Sequence, residues 1–274
     1  MIFPLDFQFQ LWKAAFTELV ATALIVFTLT TTIISCLDSH AVEPKLLVQL
    51  AVFIIAFLFL MVTIPLSGGH TSPAFTFIAA LRGLVTLARA AIYVLAQCVG
   101  SIIGFIILKN VMDHKTMQNH SLGGCTIDGN GETSALSPEI ALTLEFVCTC
   151  LVLFLGVTLG FDKKRCKELD ITMVCVVLAG SMALAVFVSI TVTGRAGYAG
   201  VGLNPARCLA PALLQGGRLW DGHWVFWVGP FFACIVYYCF SLNLPKEEEE
   251  YDILRSAGAC FGKNDNPTIL QGRV

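Results

Sequence analysis

Two short segments place small polar residues, a proline and an alanine in the same order. They are Ser67-Gly68-Gly69-His70-Thr71-Ser72-Pro73-Ala74 and Gly200-Val201-Gly202-Leu203-Asn204-Pro205-Ala206-Arg207. Serine and asparagine are strong helix N-caps, and proline is preorganised for the first helical position. Each segment therefore opens a helix, expected over Pro73–Arg82 and Pro205–Gln215. The unpaired N–H groups at such an opening carry partial positive charge, so the chemistry on offer is the orientation of dipoles rather than the making of bonds. Ser72 and His70 resemble a nucleophile and base only superficially. They sit two residues apart at a helix cap, and no Gly-x-Ser-x-Gly elbow surrounds the serine. An intramembrane serine protease is the reading this excludes, and no enzyme is expected.

Three further charges stand in apolar surroundings: Glu18, Glu145 and Arg207. An ionisable group at membrane depth is costly and needs a partner. A proton relay is the sharper role for the two acids, but no further intramembrane acid or base extends a chain from either. The 11 cysteines do not form a metal pattern: Cys148 and Cys150 make a lone C-x-C with no histidine nearby. Cys36, Cys98, Cys175, Cys234 and Cys239 lie in apolar runs as small hydrophobes. No metal and no cofactor is expected.

The elements that must hold these residues are membrane spans. Of 274 residues, 56% are hydrophobic and 13% charged, about half the charge of a soluble domain. Mean hydropathy is +0.78. The net charge of −2 and the lack of a basic, aromatic-laced stripe exclude nucleic acid as a partner. Six apolar stretches reach spanning length: Trp12–Cys36, Leu46–Ile64, Ala88–Lys109, Glu139–Gly160, Ile171–Val192 and Trp224–Leu244. In lipid they must be helical, because unpaired backbone groups are too costly there. The first is too long for a cleaved signal and contains Glu18.

Each half of the chain repeats the same events: a span with a glutamate, a second span, a capped short helix, a third span. Three spans per copy make the second copy inverted, with the repeats at 12–110 and 138–244 of a channel-like domain 12–244. Residues 1–11 form an N-terminal segment and 245–274 an acidic, polar tail containing Glu247–Glu250. The capped helices are half a span long, so they enter the membrane and return, meeting tip to tip at its centre. Lys163, Lys164, Arg165, Lys167, Arg82 and Arg89 mark the cytoplasmic side and put both termini there. The third loop, 110–138, is then outside and contains the glycosylation pattern Asn119-His120-Ser121. Gly100-x-x-x-Gly104, and the small residues Gly180, Ser181 and Ala183, suit close helix packing.

With Asn204-Pro205-Ala206-Arg207, the Ser-Gly-Gly-His segment, Glu18 and Glu145, the chain resembles the aquaporin (major intrinsic protein) family over nearly all of residues 12–244. Ser72-Pro73-Ala74 in place of Asn-Pro-Ala, Cys208 after Arg207, and Gly123-Gly124-Cys125-Thr126 resemble the plant X intrinsic proteins. The resemblance implies an all-α membrane channel of six transmembrane helices and two re-entrant half-helices, assembled as a homotetramer in the plasma membrane. It makes Ser72, Pro73, Ala74, Asn204, Pro205 and Ala206 the pore signatures, with the Asn204 amide donating into the pore. It puts an outer constriction at Val52, Val192, Val201 and Arg207, by ungapped counting, with Thr191 or Thr193 in place of Val192 if the loop differs by one residue. It gives Glu18 and Glu145 the support of the re-entrant loops and His70 a place in the vestibule. Cys208 becomes a site for mercurials, and Cys125 a candidate for a disulfide between subunits. Valines in place of rings make the constriction wide and apolar, so the expected solutes are hydrogen peroxide, urea, glycerol, and boric or related metalloid acids, with limited water flux. The alternatives are a water-selective aquaporin and, in another class, a junction or scaffold protein with a non-conducting pore.

Overall fold

The computed structural model describes residues 5–39, 44–127, 136–158, 163–193 and 200–242. Val192 lies in a helix, but its side chain is outside the described residues, as is the tail from Pro245. Among the described residues there are helices and turns and no strand.

The first repeat consists of α1 (Leu5–Leu37), α2 (Pro44–Ser67), α3 (Pro73–Leu81) and α4 (Leu87–Val111). The second consists of α6 (Pro138–Val152), α7 (Lys163–Thr193), α8 (Pro205–Gln215) and α9 (Val225–Ser241). A π-helical turn, Leu153–Val157, prolongs α6. Between the repeats lie α5 (His114–Asn119) and a 3-10 turn, Ser121–Gly123, so the third loop is partly ordered. Among the described residues, six helical stretches are long and apolar enough to cross a membrane: Phe9–Leu37, Leu46–Ser67, Leu87–Val111, Pro138–Val157, Leu169–Thr191 and Gly217–Ser241. These are the six expected spans, with ends shifted by a few residues. The first helix already begins inside the expected N-terminal segment. One compact unit runs to Tyr238; beyond it only Cys239–Leu242 are described, at the end of α9.

Small residues decide how closely the helices approach. A Cβ on Gly100 would collide with the Leu19 carbonyl, and one on Gly104 with the Ala23 carbonyl and Val26, so α4 lies against the α1 backbone. In the second repeat a Cβ on Gly229 of α9 would come within 2.6 Å of the Cβ of Glu145 on α6. A Cβ on Gly180 would meet only Phe53, at 4.0 Å, so glycine is not required there by packing. Each repeat thus brings its first and last spans together beside its own glutamate.

The half-helices start and stop where their residues dictate. Ser72 has extended backbone (φ −146°, ψ 137°), and its hydroxyl accepts from the Ala74 N–H at 3.3 Å. Asn204 is also extended (φ −133°, ψ 100°), and its Oδ1 accepts from the N–H groups of Ala206 at 3.1 Å and Arg207 at 3.4 Å. At the far end of α8, Gly216 takes φ +69°, a conformation that favours glycine, and donates to the Ala212 carbonyl at 2.9 Å.

Candidate functional site: two helix tips and an outer cavity

The two hairpin tips touch. The Asn204 side-chain amide donates to the Thr71 carbonyl at 2.8 Å, and the Ser72 hydroxyl reaches the Leu203 carbonyl at 3.5 Å. Thr71 and Leu203 each precede a cap, and each has positive φ, 47° and 54°. Non-glycine residues rarely adopt that region. The strain is held by carboxylates. Glu18, fully buried, accepts from the backbone N–H of His70 at 3.2 Å and of Thr71 at 2.6 Å. Glu145, also fully buried, accepts from Gly202 N–H at 2.5 Å and Leu203 N–H at 3.2 Å. Each acid takes the two N–H groups just before a cap, which would otherwise be buried and unpaired.

Around Glu18 the network is wider than sequence reasoning indicated. Ser67 donates to it at 2.5 Å and Gln97 at 2.8 Å. Gln97 also donates to the Thr76 hydroxyl at 2.9 Å, and Tyr93 donates to the Ser67 carbonyl at 3.1 Å. Arg89 in turn donates to the Tyr93 oxygen at 2.7 Å. His70 is buried, with Nδ1 3.3 Å from the Thr76 hydroxyl and its ring edge-on to Tyr93. It is not among the side chains lining the cavity described next. Gln97 had a signal in the sequence: an amide inside an apolar span needs a partner as an acid does.

On the far side of the tips opens a cavity of about 630 Å³. Its floor is Thr71, Ser72, Leu203 and Asn204, so it ends where the half-helices meet. One wall is aliphatic, including Val48, Val52 and Ile55 of α2 and Met182, Val186 and Ile190 of α7. The opposite wall is polar: Arg207, the backbone of Gly123 and Gly124, and Thr126, with His120 and Asn119 at the loop. Val52 and Val201 are buried and line it with Arg207. Asn119, the sequon asparagine, is exposed. His120 pairs with Asp38 at 2.9 Å and joins this loop to the end of α1.

Three expectations change. Cys208 was to be a free thiol open to mercurials, and Cys125 a link between subunits. The two form a disulfide with each other, within one chain. Both sulfurs are buried, and a bonded sulfur presents no thiol. The third loop folds back over α8 and brings together residues 83 apart in sequence, which spacing alone does not reveal. The Asn204 amide was to point into the pore. One of its two N–H groups is instead committed to Thr71 of the opposite hairpin, which leaves one for a solute.

Six spans in two inverted copies, with two half-helices meeting at the floor of an amphipathic cavity, define a membrane channel for small molecules. The model of the major intrinsic protein family matches residues 7–237, and the chain belongs to that family. It is 31% identical over 238 residues to aquaporin PIP2-7 of Musa acuminata, covering 83% of this chain and 80% of that protein. It is 30% identical over 232 residues to aquaporin-4 of Bos taurus, covering 82% of this chain and 65% of that one. Among solved structures, the aquaglyceroporin from Plasmodium falciparum superposes with a TM-score of 0.69 at 18% identity, covering 85% of this chain and 96% of that one. The chain is therefore an integral membrane protein and a passive channel for water or small solutes, not an enzyme.

Proposed function

We propose that this channel passes small neutral polar solutes (hydrogen peroxide, urea, glycerol, and boric or similar metalloid acids) in preference to water. The observation that carries the proposal is the cavity lining: aliphatic Val52 and Val201 line it with Arg207, and the rings in the lining are those of Phe75 on α3 and His120 in the third loop. For the fifth-helix position we take Val186, which lines the cavity, in place of Val192. The ungapped count that led to Val192 crossed residues 194–199, and extra length in that stretch moves the matching residue toward the helix. The constriction is then Val52, Val186, Val201 and Arg207. Aliphatic side chains receive the carbon face of a polyol, while Arg207 and the loop backbone hydrogen-bond its hydroxyls. The Arg207 charge and the two positive helix ends at Ser72 and Asn204 oppose cations and protons.

In this reading Glu18 and Glu145 hold the re-entrant segments in shape. The channel domain spans residues 12–244, with a cytoplasmic N-terminal segment and tail, both termini inside and the Asn119 loop outside. It works as a homotetramer in the plasma membrane and is akin to the X intrinsic proteins. These assignments are supported by the Lys/Arg asymmetry, the apolar outward faces and the signature residues. The test is purified protein in vesicles, with swelling and solute uptake followed by stopped flow for water, glycerol, urea and hydrogen peroxide. Solute permeabilities well above protein-free vesicles, with modest water flux, are expected. Fast water flux without solute uptake would point to a water-selective channel. No flux of any kind would point to a junction or scaffold role.

A further inference from the structure

We propose that the Cys125–Cys208 disulfide positions the Arg207 guanidinium and thereby sets which solutes pass the outer constriction. The inference rests on the reading of Arg207 as the charged member of that constriction.

A guanidinium on a long flexible stem stays in place only if its donors are held, since its rotamer freedom is worth about 2 kcal/mol. Among the described residues no carboxylate lies within 4.0 Å of Arg207. Its side chain has two hydrogen bonds: Nη1 donates to the Cys125 sulfur at 3.2 Å, and Nη2 to the Gly123 carbonyl at 3.4 Å. Both acceptors are on one loop, two residues apart. That loop is bonded covalently to Cys208, the residue directly after Arg207. A closed ring results, running from Arg207 along the backbone to Cys208, across the sulfurs to Cys125, and back by a hydrogen bond to Arg207.

The packing shows the disulfide to be a built part of the wall. Cys125 and Cys208 are each 1% exposed, in a cluster with Ile127, Leu136, Val225 and Phe226. A Cβ on Gly202 would overlap the Cys208 sulfur and come within 3.3 Å of that of Cys125, so the half-helix lead-in needs glycine there. A Cβ on Gly123 would collide with Thr30, which holds the loop against α1. Chemistry gives the reason for sulfur. Two neutral acceptors fix the cation without cancelling its charge, whereas a carboxylate in the same place would fix it and neutralise the filter. Opening the bond releases Cys125 from Cys208, and the guanidinium loses its covalently held sulfur acceptor.

The decisive experiment uses the full chain in vesicles and reads the ratio of glycerol to water permeability, which does not depend on how many channels inserted. Treatment with a dithiol reductant, with bond opening verified by thiol mass labelling, is expected to raise the ratio about three- to tenfold, the scale of losing one ordinary hydrogen bond. Oxidised glutathione, which re-forms the cystine by exchange with release of two reduced glutathiones, should restore the ratio. Cys125→Ser should show the raised ratio without reductant and no response to it, and Cys98→Ser, a free cysteine on α4, should behave as the parent. If Cys125→Ser fails to insert, the reductant arm on the parent chain decides. An unchanged ratio with the thiols fully labelled overturns the proposal, as does free thiol at both positions in the untreated channel. Arg207→Val separates this from the underlying reading. If it shifts the ratio while reduction does not, only the disulfide's role is lost; if Arg207→Val also leaves it unchanged, the reading of the constriction itself falls.

Discussion

The two hairpins solve one problem with different means. In each, a buried glutamate accepts the two N–H groups that precede the cap: His70 and Thr71 for Glu18, Gly202 and Leu203 for Glu145. Beyond that they diverge. The first hairpin is held by side chains of its own repeat, with Ser67 and Gln97 adding two more donors to Glu18. Among the described residues Glu145 accepts from the two backbone groups alone, and the second hairpin is fastened by the Cys125–Cys208 bond from a loop between the repeats. A polar network tolerates no missing member, because each orphaned buried group carries its own desolvation cost. A covalent clamp leaves the surroundings free to be apolar. Both hairpins reach the cavity, the first through Thr71, Ser72 and Phe75 and the second through Val201, Gly202, Leu203, Asn204 and Arg207.

The comparison can be broken most severely at the glutamates. Glu18→Leu removes the acceptor shared by four donors and Glu145→Leu that of two, at about 1–3 kcal/mol for each donor left without a substitute. We expect Glu18→Leu to abolish the folded channel in detergent and Glu145→Leu to lower its thermal midpoint while leaving part of the population folded. Size-exclusion profiles and unfolding curves measure both. Equal losses, or the reverse order, would mean that the wider network adds nothing.

A smaller effect separates contact from conformation at glycine. Gly202→Ala forces a Cβ against the disulfide and should cost about 1–3 kcal/mol by overpacking. Gly216→Ala meets nothing within 4 Å and pays only for its φ of +69°, about 1 kcal/mol. Thermal unfolding of the two variants ranks them. If Gly216→Ala is the worse, the sulfurs are not packed on the hairpin as described.

The smallest effects are expected from exchanging the caps. Asn204→Ser loses the bond to Thr71 and one of two capped N–H groups, for about 1 kcal/mol and a measurable fall in flux. Ser72→Asn keeps its cap and adds a donor, so the channel should insert normally with modestly altered solute ratios. Stopped-flow uptake on both variants tests the asymmetry. A loss of insertion in Ser72→Asn would show that the first tip has no room for an amide and that the two ends are not interchangeable in kind.

Much of the fold was written in local order. Spanning helices follow from apolar runs of sufficient length, and both half-helices follow from a cap and a proline, since these are interactions between near neighbours in the chain. The half-helices observed, Pro73–Leu81 and Pro205–Gln215, differ from expectation by one residue. Glu18 and Glu145 were legible because an acid in an apolar helix demands a partner. The identity of the partners was not: it depends on which backbone N–H groups the folded hairpins present to them. The pairing of Cys125 with Cys208, the commitment of the Asn204 amide to Thr71, and the presence of Val186 on the cavity wall were decided by tertiary structure alone. Each joins segments whose separation along the chain carries no distance information, and only the inverted packing of the two repeats brings them within bonding reach.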